Sequence, residues 1–201
     1  MGTNWQAEGG KSLTVSMFKT LPHFKIELQF YISMVVSLAL CKALKAFNIP
    51  KLSIKWPNDI LSEDKKICGI LIENVIKSSQ LQGSVIGFGL NVNQKYFENL
   101  PQASSLNLLS GIVFDKDEVL SEVLKQLQFY FEVLETNNLS EIKSEYESLL
   151  FRKDKPSTFS TADGKTLSGI IKGVTKKGKL KVWTEDEIIK TFDLKEVTLR
   201  Y

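Results

Sequence analysis

The spacing of apolar and polar positions divides the chain into recognisable elements. Leu13, Val15 and Met17 alternate with Thr14, Ser16 and Phe18, which predicts a strand over Leu13–Lys19. Leu28–Phe47 has few breakers and stops at Asn48-Ile49-Pro50, which predicts the longest core helix. Leu52, Ile54 and Trp56 alternate with Ser53 and Lys55, so Lys51–Trp56 reads as a short strand with one buried face. Pro57 lacks a backbone donor, and regular pairing is expected to stop there. A charged turn is expected over Ile60–Lys66. Ile67–Ile76 and Leu81–Leu90 are nearly continuous apolar runs, expected as antiparallel neighbours at the centre of a covered sheet, joined across Lys77–Gln80. Gln94–Ser110, around Pro101, reads mostly as loop. A helix is expected from Asp115 or Lys116 to about Thr136, its first turn carrying Asp115, Asp117 and Glu118 to suit the helix dipole. A second, capped by Ser140, is expected to run to about Phe151.

After Arg152 the texture changes. Short β-like runs (Ser157–Thr161, Thr166–Thr175, Lys179–Thr184, Ile188–Asp193) are separated by Asp163-Gly164, Lys177-Gly178 and Glu185-Asp186. That pattern predicts a small antiparallel barrel of the SH3-like kind. The chain thus divides into a larger unit over residues 1–151 and a barrel over 152–201.

Composition narrows the function classes. The hydrophobic share of 43% and charged share of 24% are ordinary for a globular protein. The net charge of +3 is too small to argue for nucleic acid. Residues 151–201 hold 12 Lys and Arg against 7 Asp and Glu, so the basic excess belongs to the barrel. Cys41 and Cys68 stand in apolar surroundings without zinc-ligand spacing, and read as buried thiols. With His23 as its one histidine, the chain holds no catalytic triad and no histidine-rich metal site. The strongly apolar, uncharged run Leu28–Cys41 is 14 residues and too short for a bilayer. The N-terminus has no signal-peptide pattern, and a cytoplasmic location without a membrane partner is expected. Gly9-Gly10-Lys11-Ser12 is not a P-loop, because Trp5 stands where that motif needs glycine.

The stretch with chemical content is Lys55-Trp56-Pro57-Asn58-Asp59. It places a positive charge at the end of a core strand, and Lys66 opens the next apolar strand 11 residues later. Two cations on adjacent strands point to an anion site. A lysine beside a tryptophan also fits a snorkelling side chain, and Pro-Asn-Asp a plain turn. Gly87 and Gly89 in a central strand would let a ligand lie against the backbone, or mark a bulge.

Three segments taken together are more specific: Lys55–Asp59, then Lys66-Ile67-Cys68-Gly69-Ile70-Leu71-Ile72-Glu73, then Ile86-Gly87-Phe88-Gly89-Leu90-Asn91-Val92-Asn93. In this order and spacing they resemble the catalytic domain of biotin–protein ligases. Trp5–Thr14 is similar to the family's W-x-S-x-x-G-K-N-L-x segment, and Ala103-Ser104-Ser105-Leu106 to its A-T-S-L. The resemblance spans essentially the whole chain. It implies an α+β fold: a class II aminoacyl-tRNA synthetase-like, biotin–lipoate ligase catalytic domain with a mixed sheet and helices, followed by an SH3-like barrel. The resemblance implies the non-repressor type, without a DNA-binding domain.

The resemblance also implies a chemistry. ATP, as its Mg2+ complex, and biotin would be joined as biotinyl-5′-AMP with release of pyrophosphate. The biotinyl group would then pass to a lysine of a biotin carboxyl carrier domain. No tightly bound cofactor and no protein metal site are implied, and a homodimer is left open. Lys55 matches the lysine beside the biotin carboxylate and α-phosphate, and Lys66 would add a second cation. Asp59 would orient the carrier lysine or accept its proton, and Asn58 would hold the loop. Gly69, Gly87, Gly89, Leu90 and Asn91 would line the adenylate site. Asn91 and Asn93 would reach ribose, phosphate or a hydrated magnesium ion, and Trp5 would wall the biotin tail or adenine. Trp5 also fits a loop residue packed on the core. Met1-Gly2 matches only the end of the family's Gly/Arg-rich lid loop, so an N-terminally truncated chain is expected, with its activity left open. Two alternatives stand beside the biotin reading: a lipoate–protein ligase and a non-catalytic basic binding module.

Overall fold

A computed structural model describes Trp5, residues 8–22 and residues 24–201. Met1, Gly2 and His23, and with them the expectations for the lid loop and the histidine, lie outside the described residues.

Among the described residues ten strands and four α-helices follow one another. The first sheet contains β1 (Ser12–Thr20), β2 (Leu52–Lys55), β3 (Asp59–Ser62), β4 (Lys65–Lys77) and β5 (Gln80–Asn91). Their order is β1-β5-β4-β3-β2, so the two apolar runs expected at the centre of a sheet lie inside it. Every named pair is antiparallel. The mixed sheet that was expected is therefore corrected. Among the described residues parallel contacts occur only as isolated bridges such as Ile54 to Leu150; β2 to β5 follow one another through tight hairpins, and β1 joins the far edge against β5.

The charged turn expected over Ile60–Lys66 is mostly strand. Ile60 and Leu61 are fully buried in β3, and only Glu63 and Asp64 turn the chain, both at positive φ. Ser78 and Ser79 do the same between β4 and β5.

Helix α1 (Phe30–Ala46), preceded by the single 3₁₀ turn Ile26–Leu28, is buried almost all round. The helical run Ile26–Ala46 has the length and composition of a membrane span, but 61% of its most apolar stretch is buried inside the fold. Its sheet side meets β2–β4, and its other side is covered by α3 (Lys116–Glu135) and α4 (Leu139–Ser148). Helix α3 buries the stripe Val119, Val123, Leu127, Phe131 and Leu134, and the Asp115 carboxylate accepts from the amides of Asp117 (2.7 Å) and Glu118 (3.3 Å). Ser140 lies inside α4 and is not its cap. The flanking residue is Asn138, whose side-chain amide donates to Glu141 instead of serving the helix backbone. The expected loop over Gln94–Ser110 holds a short helix, α2 (Leu106–Ser110), with Ser105 Oγ accepting from the Leu108 amide and Gly111 closing it at φ 74°.

The second sheet comprises β6 (Pro156–Thr161), β7 (Thr166–Val174), β8 (Leu180–Thr184), β9 (Ile189–Phe192) and β10 (Val197–Arg200) in the order β10-β6-β7-β8-β9, and fits an SH3-like domain. The fifth strand was not expected. Only Val197 of its four residues is buried, so it carries little apolar pattern.

Hydrogen bonds help fasten this sheet to the helices and the first sheet. Trp56 Nε1 donates to Gly178 O at 2.8 Å in a buried setting. Glu147 Oε1 accepts from the Val174 amide at 2.8 Å, beside the β7 irregularity where Gly173 sits at φ 129°. A side chain at Gly173 would strike the Glu147 carboxylate.

Candidate functional site

A cleft of about 940 Å³ opens between the first sheet and the barrel. Its floor belongs to β1, β4 and β5, its rim to the β2–β3 turn, and its far wall to Leu150, Phe151 and barrel residues such as Leu194, Val197 and Leu199.

Strand register assembles the floor. Gly69 pairs with Gly89, and Gly87 lies opposite Leu71 and Ser16. Trp5 occupies part of this glycine surface. A Cβ at Gly89 would fall 2.3 Å from the indole, and one at Gly69 would meet it at 3.3 Å. At Gly89, then, the group lying against the backbone is the protein's own tryptophan rather than open ligand space. Gly87 would meet nothing closer than 3.6 Å and is not under that constraint.

The charged cluster lies at the rim. β2 ends at Lys55 and β3 begins at Asp59, and the two residues face each other across the hairpin. The Asp59 carboxylate stands 2.7 Å from Lys66 Nζ and 3.8 Å from Lys55 Nζ. Side-chain exposure is 19% for Lys55, 16% for Asp59 and 34% for Lys66. One carboxylate therefore serves two ammonium groups, leaving a local excess of one positive charge. Each ammonium also faces a ring: Lys66 lies 5.9 Å from the Trp5 centroid and Lys55 lies 4.8 Å from that of Tyr201.

Burial lowers the Lys55 pKa from its ordinary value. Asp59 opposes that shift and Lys66 adds to it. Partly solvated ion pairs of this kind contribute only about 0–1 kcal/mol each. The cluster is better understood as an arrangement of charge than as a source of stability.

Of the residues singled out in the sequence, Trp5, Lys55, Asn58, Lys66, Gly69, Gly87 and Gly89 all line the cleft, and Asp59 bonds two of them. Asn58 holds the rim, its amide donating to Ile70 O at 2.7 Å. Leu90 and Asn91 do not line the cleft. Leu90 is fully buried in the core, and Asn91, 3% exposed, donates to Ser104 O at 2.9 Å. Asn93 is also engaged elsewhere, clasping the backbone of Phe114 with both ends of its amide. Strand alternation explains the outcome for Leu90, since adjacent side chains point to opposite faces and Gly89 takes the cleft side.

Sequence reasoning missed Thr14, Val15 and Ser16 on the floor, the barrel wall, and Tyr201. Nothing in local pattern marks Tyr201, which reaches Lys55 only through the barrel's placement. In the barrel, Trp183 is 40% exposed on β8, whereas Phe159 is fully buried. Among the described residues no group of three His, Cys, Asp or Glu could hold a metal.

Comparison with known proteins agrees with this geometry. Residues 1–91 match the model of the "Biotin/lipoate A/B protein ligase family". The chain is 29% identical over 204 residues to the bifunctional ligase/repressor BirA of Escherichia coli (strain K12), covering 99% of this chain and 62% of that protein. It is 24% identical to the biotin–[acetyl-CoA-carboxylase] ligase of Mycobacterium tuberculosis, over 89% of this chain and 66% of that protein. The chain thus spans under two thirds of the length of these curated relatives. Among solved structures, the biotin protein ligase of Aquifex aeolicus in complex with biotin and ATP superposes with a TM-score of 0.78 at 27% identity, covering 94% of this chain and 78% of that one. Fold, motif order and similarity all point the same way: the chain is similar to the biotin/lipoate A/B protein ligase family over residues 1–91 and to biotin protein ligases over most of its length.

Proposed function

We propose that this chain carries the adenylating and transferring site of an ATP-dependent biotin–protein ligase. It would form biotinyl-5′-AMP from biotin and ATP with release of pyrophosphate, and then pass the biotinyl group to a lysine of a biotin carboxyl carrier domain with release of AMP. The observation that carries the reading is the Lys55–Asp59–Lys66 cluster, with its excess positive charge, at the rim of a cleft floored by Gly69, Gly87 and Gly89.

The reaction brings two anions together, the biotin carboxylate and the α-phosphate, and needs no enzyme nucleophile. Catalysis is then positioning plus electrostatic stabilisation. Lys55, on a rigid strand end, bridges carboxylate and phosphate oxygens as a compact charge. Lys66 faces the phosphates. The pyrophosphate leaves with the charge it gains, and Mg2+ enters only as part of the ATP substrate. As the anions take over the two ammonium groups, Asp59 is released to accept a hydrogen bond from the incoming carrier lysine. Asn58 keeps the rim in place through Ile70. Leu90 and Asn91 act as support, Asn91 by tying β5 to the segment before α2. A division at residues 151/152 into catalytic unit and barrel is proposed on the same basis, with the barrel as the second wall of the cleft.

The test is biotin-dependent exchange of pyrophosphate into ATP, followed by transfer to a carrier domain. Exchange with biotin but not lipoate supports the reading. Absence of exchange, together with absence of any thermal shift with biotin plus ATP, overturns it.

A further inference from the structure

The barrel contributes a group to the charged cluster that the adenylation chemistry does not itself require. Tyr201 follows β10, and its ring stands 4.8 Å from Lys55 Nζ. The ring is held in turn. Phe151 meets it edge-on with centroids 5.1 Å apart, and Gln102 Nε2 donates to Tyr201 O at 3.4 Å. Asp59 approaches Lys55 from β3 at 3.8 Å, and Lys66 on β4 shares that carboxylate. On the barrel side, Lys195 is a further charge lining the cleft. Lys55 is thus held by a carboxylate on one side and by an aromatic face on the other.

We propose that Tyr201 is a positioning residue for Lys55: its ring caps the ammonium from the barrel side and keeps it charged and fixed at the rim of the cleft. The inference rests on the ligase reading for its consequence, but not for its geometry. A half-buried ammonium loses hydration, and a ring quadrupole replaces part of that stabilisation without contributing a competing anion. A second carboxylate at this place would hold Lys55 as firmly, but would cancel the charge the substrates need. The arrangement also makes the state of the rim depend on the seating of the barrel, since Tyr201 follows its last strand. The Tyr201 hydroxyl takes no part: burial, with Asp59 and Asp64, raises its pKa and keeps it neutral.

The test compares Tyr201→Phe, which keeps the ring, with Tyr201→Leu, which keeps apolar cover but removes the π face. Lysine side-chain NMR of the full chain, with Lys55→Met assigning the signal, reads the Lys55 titration without substrates. Tyr201→Leu is expected to lower the Lys55 pKa by roughly half a unit, and Tyr201→Phe to leave it in place. Biotin-dependent pyrophosphate exchange is expected to fall about threefold in the leucine variant only, and more at alkaline pH. Equal Lys55 titration in all three proteins, or a phenylalanine variant that follows leucine, overturns the inference. Should Tyr201→Leu not fold, Tyr201→Met gives the same comparison. Failure of the wild-type chain to exchange pyrophosphate would count against the ligase reading and leave the lysine titration to decide the role of Tyr201.

Discussion

Replacing Lys55 with alanine tests the charge arrangement most directly. In the intact cluster Asp59 neutralises one of two ammonium groups, so a single positive charge faces the cleft. Because Lys66 lies nearer the carboxylate, at 2.7 Å against 3.8 Å, it would remain paired in the variant and the excess charge would be lost. Two unit charges 4 Å apart interact by about 4 kcal/mol at an effective dielectric of 20. Part of that interaction is already present with the bound substrates. The share special to the transition state is about 2.7–4 kcal/mol for one preorganised donor, so adenylate formation should slow by roughly 10²–10³-fold. Stability should change much less. A 3.8 Å ion pair and one cation–π contact contribute roughly 1 kcal/mol together, and relief of the Lys66 repulsion offsets part of it. A melting shift of no more than about 4 °C is expected for a chain of this size. The assay is biotin-dependent pyrophosphate exchange at saturating ATP and biotin, beside a thermal melt. An exchange rate within threefold of wild type, with weakened biotin affinity alone, would show that Lys55 only binds and would refute the electrostatic argument.

Three further outcomes follow from the geometry. Trp56→Phe removes the buried donor to Gly178 O and should cost about 1–3 kcal/mol, read as a lower denaturation midpoint in urea. Gly89→Ala places a methyl group against the Trp5 indole and should displace it, shifting tryptophan fluorescence toward the solvent-exposed spectrum, whereas Gly87→Ala should not. Burial lowers the pKa of Lys55 in the folded chain, so between that lowered value and 10.5 the unfolded chain holds the extra proton. Stability relative to Lys55→Met should therefore rise with pH in that window while adenylate formation falls, and parallel trends in the two measurements would contradict the assignment.

Much of the site was legible because its parts sit on strands with strong local pattern. Alternation across Leu52, Ile54 and Trp56 located the strand that carries Lys55, and Pro57 marked its end. The apolar runs of β4 and β5 announced a sheet centre, and with it the glycines at Gly69, Gly87 and Gly89. Where two signals conflicted, the sequence misled. Charge around Glu63 and Asp64 masked the buried pair Ile60 and Leu61, so β3 read as a turn. Polar residues at and just beyond the end of β5 read as ligand-facing, although Asn91 and Asn93 spend their hydrogen bonds on backbone groups near α2 and α3. A side chain's partner is not written in its own neighbourhood.

The sequence by itself determined what depends on neighbours along the chain: the strand and helix periods, most tight turns, the lysines delivered at strand ends, and the order of motifs that carries the resemblance. The tertiary structure decided what depends on residues far apart in number. It set Trp5 on Gly89 and joined Trp56 to Gly178. It also gave Asp59 two lysines at once, and brought the Tyr201 ring to Lys55. Hydrogen bonds and charge pairs act over a few ångströms of space, and only the packing of the barrel against the first sheet brings these groups within that range.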